Sequence, residues 1–327
     1  MDGPVVTRLR HIVFQAAAAA IAAAVLGAAA ACSPEGGPEG GPAGTTSTAT
    51  DAVTAEISQF RDNYSKQIIE IQLTNTTGRA LTVLAAELTS PLFPAPITWP
   101  ARTGGIELPP GQAKSLPAPL PAPECGSPSP ASTGPATASG ADSGNAVVAL
   151  RLAVPQGSVP QGTAPPQAVA PAADPFGVLA RNNSEMCLAR AASAVAAIAL
   201  VPDLEVAADG RTAVVRLLVQ PRAASGGGAG AGELVIDRVE ETTLLAEAPQ
   251  APWPRSVTLS AGGPPAEMRL GIRPSRCDPH AVAEDKVGTL LPLRVRVAGR
   301  EGVVKIDAGS QLRGRIYDFV TKACGRQ

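Results

Sequence analysis

Cysteines are the residues of this 327-residue chain with the clearest capacity for chemistry. Cys32 ends an alanine-rich apolar run, whereas Cys125, Cys187, Cys277 and Cys324 are spread through the rest of the chain. Thiols bind metals, act as nucleophiles or oxidise to disulfides, and an even set of cysteines in an exported chain predicts disulfides. A cysteine held in a disulfide cannot serve as a nucleophile, so thiol catalysis is not expected.

His280 is the second chemically informative residue, because the other histidine, His11, precedes the apolar run. A Ser-His-Asp or Cys-His enzyme would have to use His280, and a zinc site with several imidazoles is excluded. Together with Asp278, Glu284 and Asp285, His280 forms a polar cluster that would suit a cation. Alternatively, the Asp-Pro pair begins a turn and the acids lie on a solvated loop, which the lack of ligands in the corresponding Ser/Pro-rich segment 127–134 favours.

Trp99 and Trp253 are candidate binding residues, because exposed aromatic rings of exported β-domains stack on sugars or grip peptides. Each lies next to proline, and the chain has no other tryptophan. The alternative is that each ring fills the end of a hydrophobic core. Their equivalent placement in two halves of the chain favours this alternative.

Several other kinds of site are excluded by composition and spacing. The chain has 27 Lys and Arg against 28 Asp and Glu, with a net charge of −1 and no basic run, which argues against nucleic-acid binding. Glu240 and Glu241 are adjacent on a predicted strand and would point to opposite faces, so they are poor candidates for glycosidase carboxylates. The glycine run 226–232 lacks the residues of a phosphate loop. No cofactor is expected.

The N-terminus has the three parts of a secretory signal: Arg8 and Arg10, the apolar run 12–31, and small residues before Cys32. The four residues ending in Cys32, Ala-Ala-Ala-Cys, resemble the bacterial lipobox. This resemblance implies that the Cys32 sulfur carries a diacylglyceryl group. The lipid bilayer would then be a partner of the chain, which would be anchored on the extracytoplasmic face of the cell membrane.

Two alternatives to lipidation stay open. An uncleaved run 12–31 is long enough to span a bilayer, which requires about 20 apolar residues. Simple secretory cleavage before Cys32 would leave an unpaired thiol. Lipidation is favoured because the other four cysteines pair without Cys32. Residues 33–50 contain almost nothing that can be buried and predict a flexible tether. The Ala, Gly, Pro and Arg bias is similar to that of actinobacterial proteins.

The rest of the chain repeats itself weakly in order. The matched segments are 68–75 with 213–220, 81–93 with 234–245, 106–112 with 257–263, 147–154 with 290–297, and 178–187 with 315–324. Both tryptophans and the four remaining cysteines fall on matching positions. Chance can align strand-like segments but is less able to align rare residues, so an internal duplication is predicted.

The alternation of aliphatic and polar residues between Gly, Pro and Asn turns predicts an all-β fold of two tandem β-sandwiches. The strand pattern resembles that of immunoglobulin-like domains. Each sandwich is expected to carry a short closing helix and one disulfide, Cys125–Cys187 or Cys277–Cys324. A hairpin turn is predicted at 75–78. Segments 127–144 and 157–175 are predicted to be surface loops inserted into the first sandwich.

These observations predict a signal peptide at 1–31, a lipidated cysteine and tether at 32–50, and β-sandwich domains at 51–190 and 191–327. The function that fits best is a non-catalytic binding or scaffolding role at the cell envelope, with another envelope protein or a cell-wall polymer as partner. A hydrolase or metal-dependent activity at His280 is the first alternative. A solute-binding protein is the second, and it is disfavoured because such proteins usually have α/β lobes.

Overall fold

Strands dominate the computed structural model, which describes residues 52–100, 103–126, 146–153, 167–223, 232–278, 282, 285 and 287–325. Cys32, the apolar run and the segment 33–50 lie outside the described residues. Ser47–Gln327 forms one compact unit. Its two hydrophobic cores are drawn entirely from residues between Val53 and Val320. Among the described residues, no helix is long and apolar enough to cross a membrane.

The first sandwich is built from eight strands. They are β1 (Val53–Ser58), β2 (Ile68–Asn75), β3 (Leu81–Ser90), β4 (Phe93–Trp99), β5 (Ile106–Leu108), β6 (Ala113–Pro119), β7 (Val147–Leu152) and β8 (Gln167–Ala173). One face has the order β1-β2-β6 and the other β4-β3-β7-β8, with β5 beside β3, and pairing between β8 and β1 joins the two faces into one continuous sheet. Alternate residues of β2, namely Ile69, Ile71 and Leu73, fill the core between the faces.

The second sandwich is built from the remaining eight strands. They are β9 (Ala196–Val206), β10 (Ala213–Pro221), β11 (Glu233–Val239), β12 (Leu245–Glu247), β13 (Val257–Ser260), β14 (Ala266–Pro274), β15 (Leu290–Val297) and β16 (Arg300–Asp307). Its faces have the orders β12-β14-β10-β9 and β13-β11-β15-β16. In both sandwiches the first strand pairs with the second, and the second pairs with β6 in the first sandwich or β14 in the second. The opposite face contains β3, β7 and β8 in the first sandwich and β11, β15 and β16 in the second. This is the immunoglobulin-like order, so the predicted fold class is confirmed.

The pairing of the strands also follows the duplication. Ile106 of β5 pairs with Val83 near the start of β3, and Val257 of β13 pairs with Ile236 in the middle of β11. These short strands had been matched by their place in the two repeats. Equivalent segments therefore occupy equivalent edges of the two sandwiches.

Two helices close the sandwiches, α1 (Val178–Val195) and α2 (Gly309–Ala323). Helix α2 packs on the second sandwich through Leu312, Ile316, Phe319 and Val320. These residues recur at three- and four-residue spacing, as expected for one buried helical stripe.

Helix α1 belongs to both cores, which the sequence did not predict. Val178 and Leu179 at its start pack in the first core, whereas Leu188, Ala192 and Val195 further along pack in the second. The helix continues directly into β9 at Ala196. The predicted domain boundary between residues 190 and 191 therefore falls inside a helix, and the two sandwiches are joined by buried structure rather than by a linker.

Both disulfides join the expected cysteines. Cys125 is bonded to Cys187 with a Cα–Cα distance of 5.5 Å, and Cys277 to Cys324 with 5.4 Å. Cys187 lies in the middle of α1, so its disulfide holds the shared helix to the end of the first sandwich. Cys324 follows α2 directly and holds that helix to the segment after β14.

Two local predictions were wrong. The turn at 75–78 does not make a hairpin, because β2 and β3 are not paired and lie in different faces. The buried Asn75 side chain instead donates hydrogen bonds to the carbonyl oxygens of Arg79 and Leu108, each at 2.8 Å. Part of the predicted loop 157–175 is strand β8, which pairs antiparallel with β7 and then parallel with β1. Its alternating Ala168, Ala170 and Ala172 are buried, and such small side chains gave no strand signal.

Candidate binding surface

The polar cluster around Asp285 has a structural role in the described part of the chain. The Asp285 carboxylate accepts hydrogen bonds from Thr243 Oγ1 at 2.8 Å, the Gly288 amide at 2.9 Å and the Tyr317 hydroxyl at 2.9 Å. Burial, reinforced by this bond to Asp285, raises the pKa of Tyr317 to about 12. Asp285 thus ties helix α2 to the loop that precedes β15.

Three further residues, Asp278, His280 and Glu284, belong to the predicted polar cluster. His280 and Glu284 lie outside the described residues, and the carbonyl oxygen of Asp278 accepts the amide of Val282 at 3.2 Å. Within the described ranges, no group of three or more His, Cys, Asp or Glu residues is placed to hold a metal ion. Asp285 therefore supplies a turn and a helix contact instead of a cation ligand.

The two tryptophans are core residues. Trp99 is 5% exposed and Trp253 is 3% exposed, and the Trp253 indole N–H donates to the carbonyl oxygen of Gly271 at 2.6 Å. A ring enclosed in this way has no face left for a ligand. The prediction that Trp99 and Trp253 present binding surfaces is therefore corrected in favour of the alternative, that each fills a sandwich core.

Exposed aromatic surface lies at another place. Among the described aromatic residues, only Phe60 and Phe176 are exposed, at 52% and 69%. Phe60 follows β1 and Phe176 follows β8. Because the ends of these two strands run parallel, with Ala55 paired to Ala172, both phenylalanines emerge at the same end of the first sandwich.

Local contacts fix this end of the molecule around the start of α1. The Asp174 carboxylate accepts the amides of Val178 at 2.7 Å and Leu179 at 2.9 Å, which caps the helix. Gly177, between Phe176 and the helix, has a φ of 58°, a left-handed conformation that glycine adopts without steric cost. The chain therefore turns sharply and leaves the Phe176 ring outside the helix.

Gln59 joins the Phe60 segment to the same helix. Its side-chain amide exchanges hydrogen bonds with Asn182, at 3.3 Å and 3.0 Å, and accepts one from Arg181 at 3.1 Å. The Arg181 guanidinium also lies 5.7 Å from the centre of the Tyr64 ring, a cation–π contact. Phe60 and Phe176 are thus held on either side of one well-anchored helix start.

Beside this end, a cleft of about 120 Å³ lies between the two sandwiches. Tyr64, Asn182 and Met186 line one side, and Leu290, Val303 and Lys305 line the other. Lys305 bonds to the Glu185 carboxylate at 2.9 Å and lies 5.5 Å from the centre of the Tyr64 ring. The cleft has room for only a few water-sized groups, so we interpret it as part of the junction and not as a ligand pocket.

Positive charge surrounds the two phenylalanines. Arg61, Lys66 and Arg181 are exposed, and among the described residues none of them lies within ion-pair distance of a carboxylate. Phe60, Arg61, Lys66, Phe176 and Arg181 are together called the Phe60–Phe176 patch. Asp62 is the exposed acid in the same loop.

Several arginines of the second sandwich, unlike Arg61 of the patch, are paired with carboxylates. Arg269 contacts Glu205 at 2.6 Å and Arg296 contacts Asp237 at 2.7 Å. The arginine hydrogen bonds hold the pKa of Glu205 and of Asp237 below their ordinary values. These arginine charges are therefore paired within the chain, whereas Arg61 and Lys66 of the patch are exposed and have no ion pair with a carboxylate of the described residues.

The loop that carries Phe60 covers a buried acid on strand β2. Glu70 is only 3% exposed and accepts a hydrogen bond from Asn63 Nδ2 at 3.0 Å. Burial raises the pKa of Glu70, an effect that the Asn63 bond opposes and the nearby Asp62 charge reinforces. The charged form of Glu70 is thus disfavoured in the folded state, at the base of the Phe60 loop.

Glu70→Gln is expected to stabilise the protein at neutral pH and to leave it unchanged at acidic pH. Because the folded-state pKa of Glu70 is raised, its stabilising effect is complete below the unfolded pKa and is lost as pH rises through the folded pKa. Gln keeps an oxygen for Asn63 but carries no charge. Thermal unfolding at several pH values should show a difference in midpoint of a few degrees that grows with pH; an equal difference at all pH values would contradict this assignment.

The sequence contained weak signals for the patch. Buried residues alternate along β1 through Val53, Ala55 and Ile57, so an inward residue is expected at 59, whereas Phe60 is out of phase. Phe176 stands between Pro175 and Gly177, in a segment typical of turns. An aromatic residue that breaks strand phase or lies within turn residues is a candidate for exposure.

Comparisons with known proteins do not identify a family for this chain. No protein-family model matches the chain, and no curated protein matches it. Among solved structures, the chain is similar to the crystal structure of the calcium-binding domain CBD12 of CALX1.1, with 11% sequence identity over 72% of this chain and 75% of that one. The TM-score is 0.17, so this likeness carries no argument about fold or function.

Proposed function

We propose that this chain is an exported, lipid-anchored protein with a non-catalytic binding or scaffolding role at the cell envelope. In this proposal Cys32 carries the lipid, and the rest of the chain is displayed on the extracytoplasmic face of the cell membrane. The Phe60–Phe176 patch is the surface that contacts another envelope component. The partners favoured by the sequence are an envelope protein or a cell-wall polymer.

The observation that carries the proposal is the patch itself. Two large apolar rings stay in solvent although the chain buries the rest of its phenylalanines and tryptophans within the described ranges. Exposed apolar surface rimmed by charge marks interaction sites in soluble domains.

The alternative of an enzyme centred on His280 receives no support from the described residues. Its neighbour Asp285 uses both carboxylate oxygens for hydrogen bonds from Thr243, Gly288 and Tyr317, and these bonds compete with a role of Asp285 as a general base or a cation ligand. The solute-binding alternative likewise finds no α/β lobe in the described fold.

Site-specific photo-crosslinking in cells tests the proposal. A benzophenone amino acid placed at position 60 or 176 should form adducts with envelope components, and mass spectrometry should identify the protein, polymer or lipid captured. Val206, which is 52% exposed on the second sandwich, is the matched control position. Adducts that are equally abundant at 206, or absent at both 60 and 176, would refute a binding role for the patch.

A further inference from the structure

We propose that the Phe60–Phe176 patch docks on an anionic lipid surface, so that the first sandwich lies against the membrane that anchors the chain. This inference rests on the proposed function for its membrane anchor, and it names the lipid bilayer itself as the component that the patch contacts.

The chemistry of the two rings favours lipid over sugar. Phe60 and Phe176 carry no hydrogen-bonding atom, so the rings can bury apolar surface at the boundary of the acyl chains but cannot themselves fix sugar hydroxyls. Interfacial membrane sites combine apolar side chains such as Phe with Lys and Arg on the adjoining polar surface. The patch has this composition, because Arg61 is next to Phe60 and Arg181 lies in the first turns of the helix that follows Phe176.

The charges of the patch are complementary to anionic headgroups. The patch has three exposed cations, Arg61, Lys66 and Arg181, against the carboxylates of Asp62 and Asp174. The Asp174 carboxylate lies at the N-terminus of α1, where it accepts two backbone amides. Basic side chains near a surface are attracted to anionic lipids within about one Debye length, roughly 10 Å. A neutral partner would leave these cations without a counter-charge.

The length of chain before the first strand permits this contact. Cys32 and Val53 are 21 positions apart. At no more than about 3.6 Å per residue, that segment can span at most about 75 Å. Strand β1 has six residues and is only about 20 Å long at 3.3 Å per residue. A chain held at Cys32 can therefore bring the Phe60 end of β1 back to the bilayer, and tethering raises the local lipid concentration so that weak contacts suffice.

Vesicle co-sedimentation of the compact unit Ser47–Gln327, which lacks Cys32, tests this inference without the anchor. We expect binding to vesicles of phosphatidylglycerol and phosphatidylethanolamine, weaker binding to phosphatidylcholine, and loss of binding at high salt. The double variant Phe60→Ala/Phe176→Ala should lower the partition coefficient by about tenfold or more. The double variant Arg61→Gln/Lys66→Gln should lower the preference for phosphatidylglycerol.

Val206→Ala is the matched control, because it removes a comparably exposed apolar side chain from the second sandwich and should leave vesicle binding unchanged. Circular dichroism of each variant checks that it is folded. Absence of vesicle binding, or binding that the phenylalanine variant retains, would overturn the lipid inference. If the unit does not bind vesicles but photo-crosslinking at position 60 captures a protein, the proposed function stands with a different partner. If photo-crosslinking captures nothing, the proposed function itself is refuted.

Discussion

Leu188→Ala and Leu179→Ala are each expected to destabilise both sandwiches, by about 2–5 kcal/mol in the free energy of unfolding. Leu179 is 0% exposed in the first core and Leu188 is 4% exposed in the second, although both lie in helix α1. Leu188 packs against β16 so closely that a Cβ at Gly302 would lie 2.9 Å from Leu188 Cδ2. Truncation at either site leaves a cavity beside the helix that the two cores share.

The two tryptophans allow this coupling to be measured. Trp99 reports on the first core and Trp253 on the second. In variants that keep one tryptophan each, denaturant unfolding should give the same midpoint for both probes, and Leu188→Ala should lower both midpoints. Arg190→Ala, an exposed substitution on the same helix, is the control and should lower neither. A Leu188→Ala variant that shifts Trp253 but not Trp99 would show that α1 does not couple the sandwiches.

Removal of the Cys125–Cys187 disulfide, by replacing both cysteines with serine, is expected to cost about 4 kcal/mol in the free energy of unfolding. The bond closes a segment with a sequence separation of 62. Constraining a loop of this length in the unfolded chain accounts for roughly 4 kcal/mol at 25 °C. Replacing both partners avoids the reactive single thiol that a one-cysteine variant would leave.

The Cys125–Cys187 bond holds α1 in place together with two hydrogen bonds of Asn183, which the double-serine variant would retain. Asn183 Nδ2 donates to the carbonyl oxygens of Leu92 at 2.7 Å and Glu124 at 3.0 Å. The helix should therefore stay docked at low temperature, and the loss should appear in denaturant unfolding and in the thermal midpoint. The Cys277→Ser/Cys324→Ser variant is the comparison, with a sequence separation of 47 and a similar expected cost. A loss below about 1 kcal/mol would indicate residual structure in the unfolded chain.

Rare residues made much of the fold predictable from the sequence. Two tryptophans and four cysteines at matching places revealed the duplication, and long aliphatic alternation located strands such as Ile68–Asn75 and Leu290–Val297. Strand β8 could not be found in this way, because its buried face is made of alanines that have little strand propensity. The hydrogen-bonded pairing of β8 with β7 and, in parallel, with β1 holds this segment as a strand.

Helix α1 and the binding surface depend on tertiary context that a single sequence does not reveal. The second half of α1 is rich in alanine, and a short apolar side chain does not indicate which of two cores it enters. The tryptophans were attractive as binding residues because they are rare, yet large rings are also the most effective core fillers. Phe60 and Phe176 are far apart in sequence, and only the parallel pairing of β1 and β8 brings them to one end of the molecule.

The most direct test of the anchored binding role is photo-crosslinking at position 60, compared between the wild-type chain and a Cys32→Ala variant that cannot be acylated. The account predicts abundant envelope adducts in the wild-type chain, recovered from the membrane fraction. It predicts their loss in Cys32→Ala, together with release of that variant from the membrane. Equal adducts and equal membrane recovery for both chains would contradict the lipid anchor and favour an uncleaved apolar run as the membrane attachment.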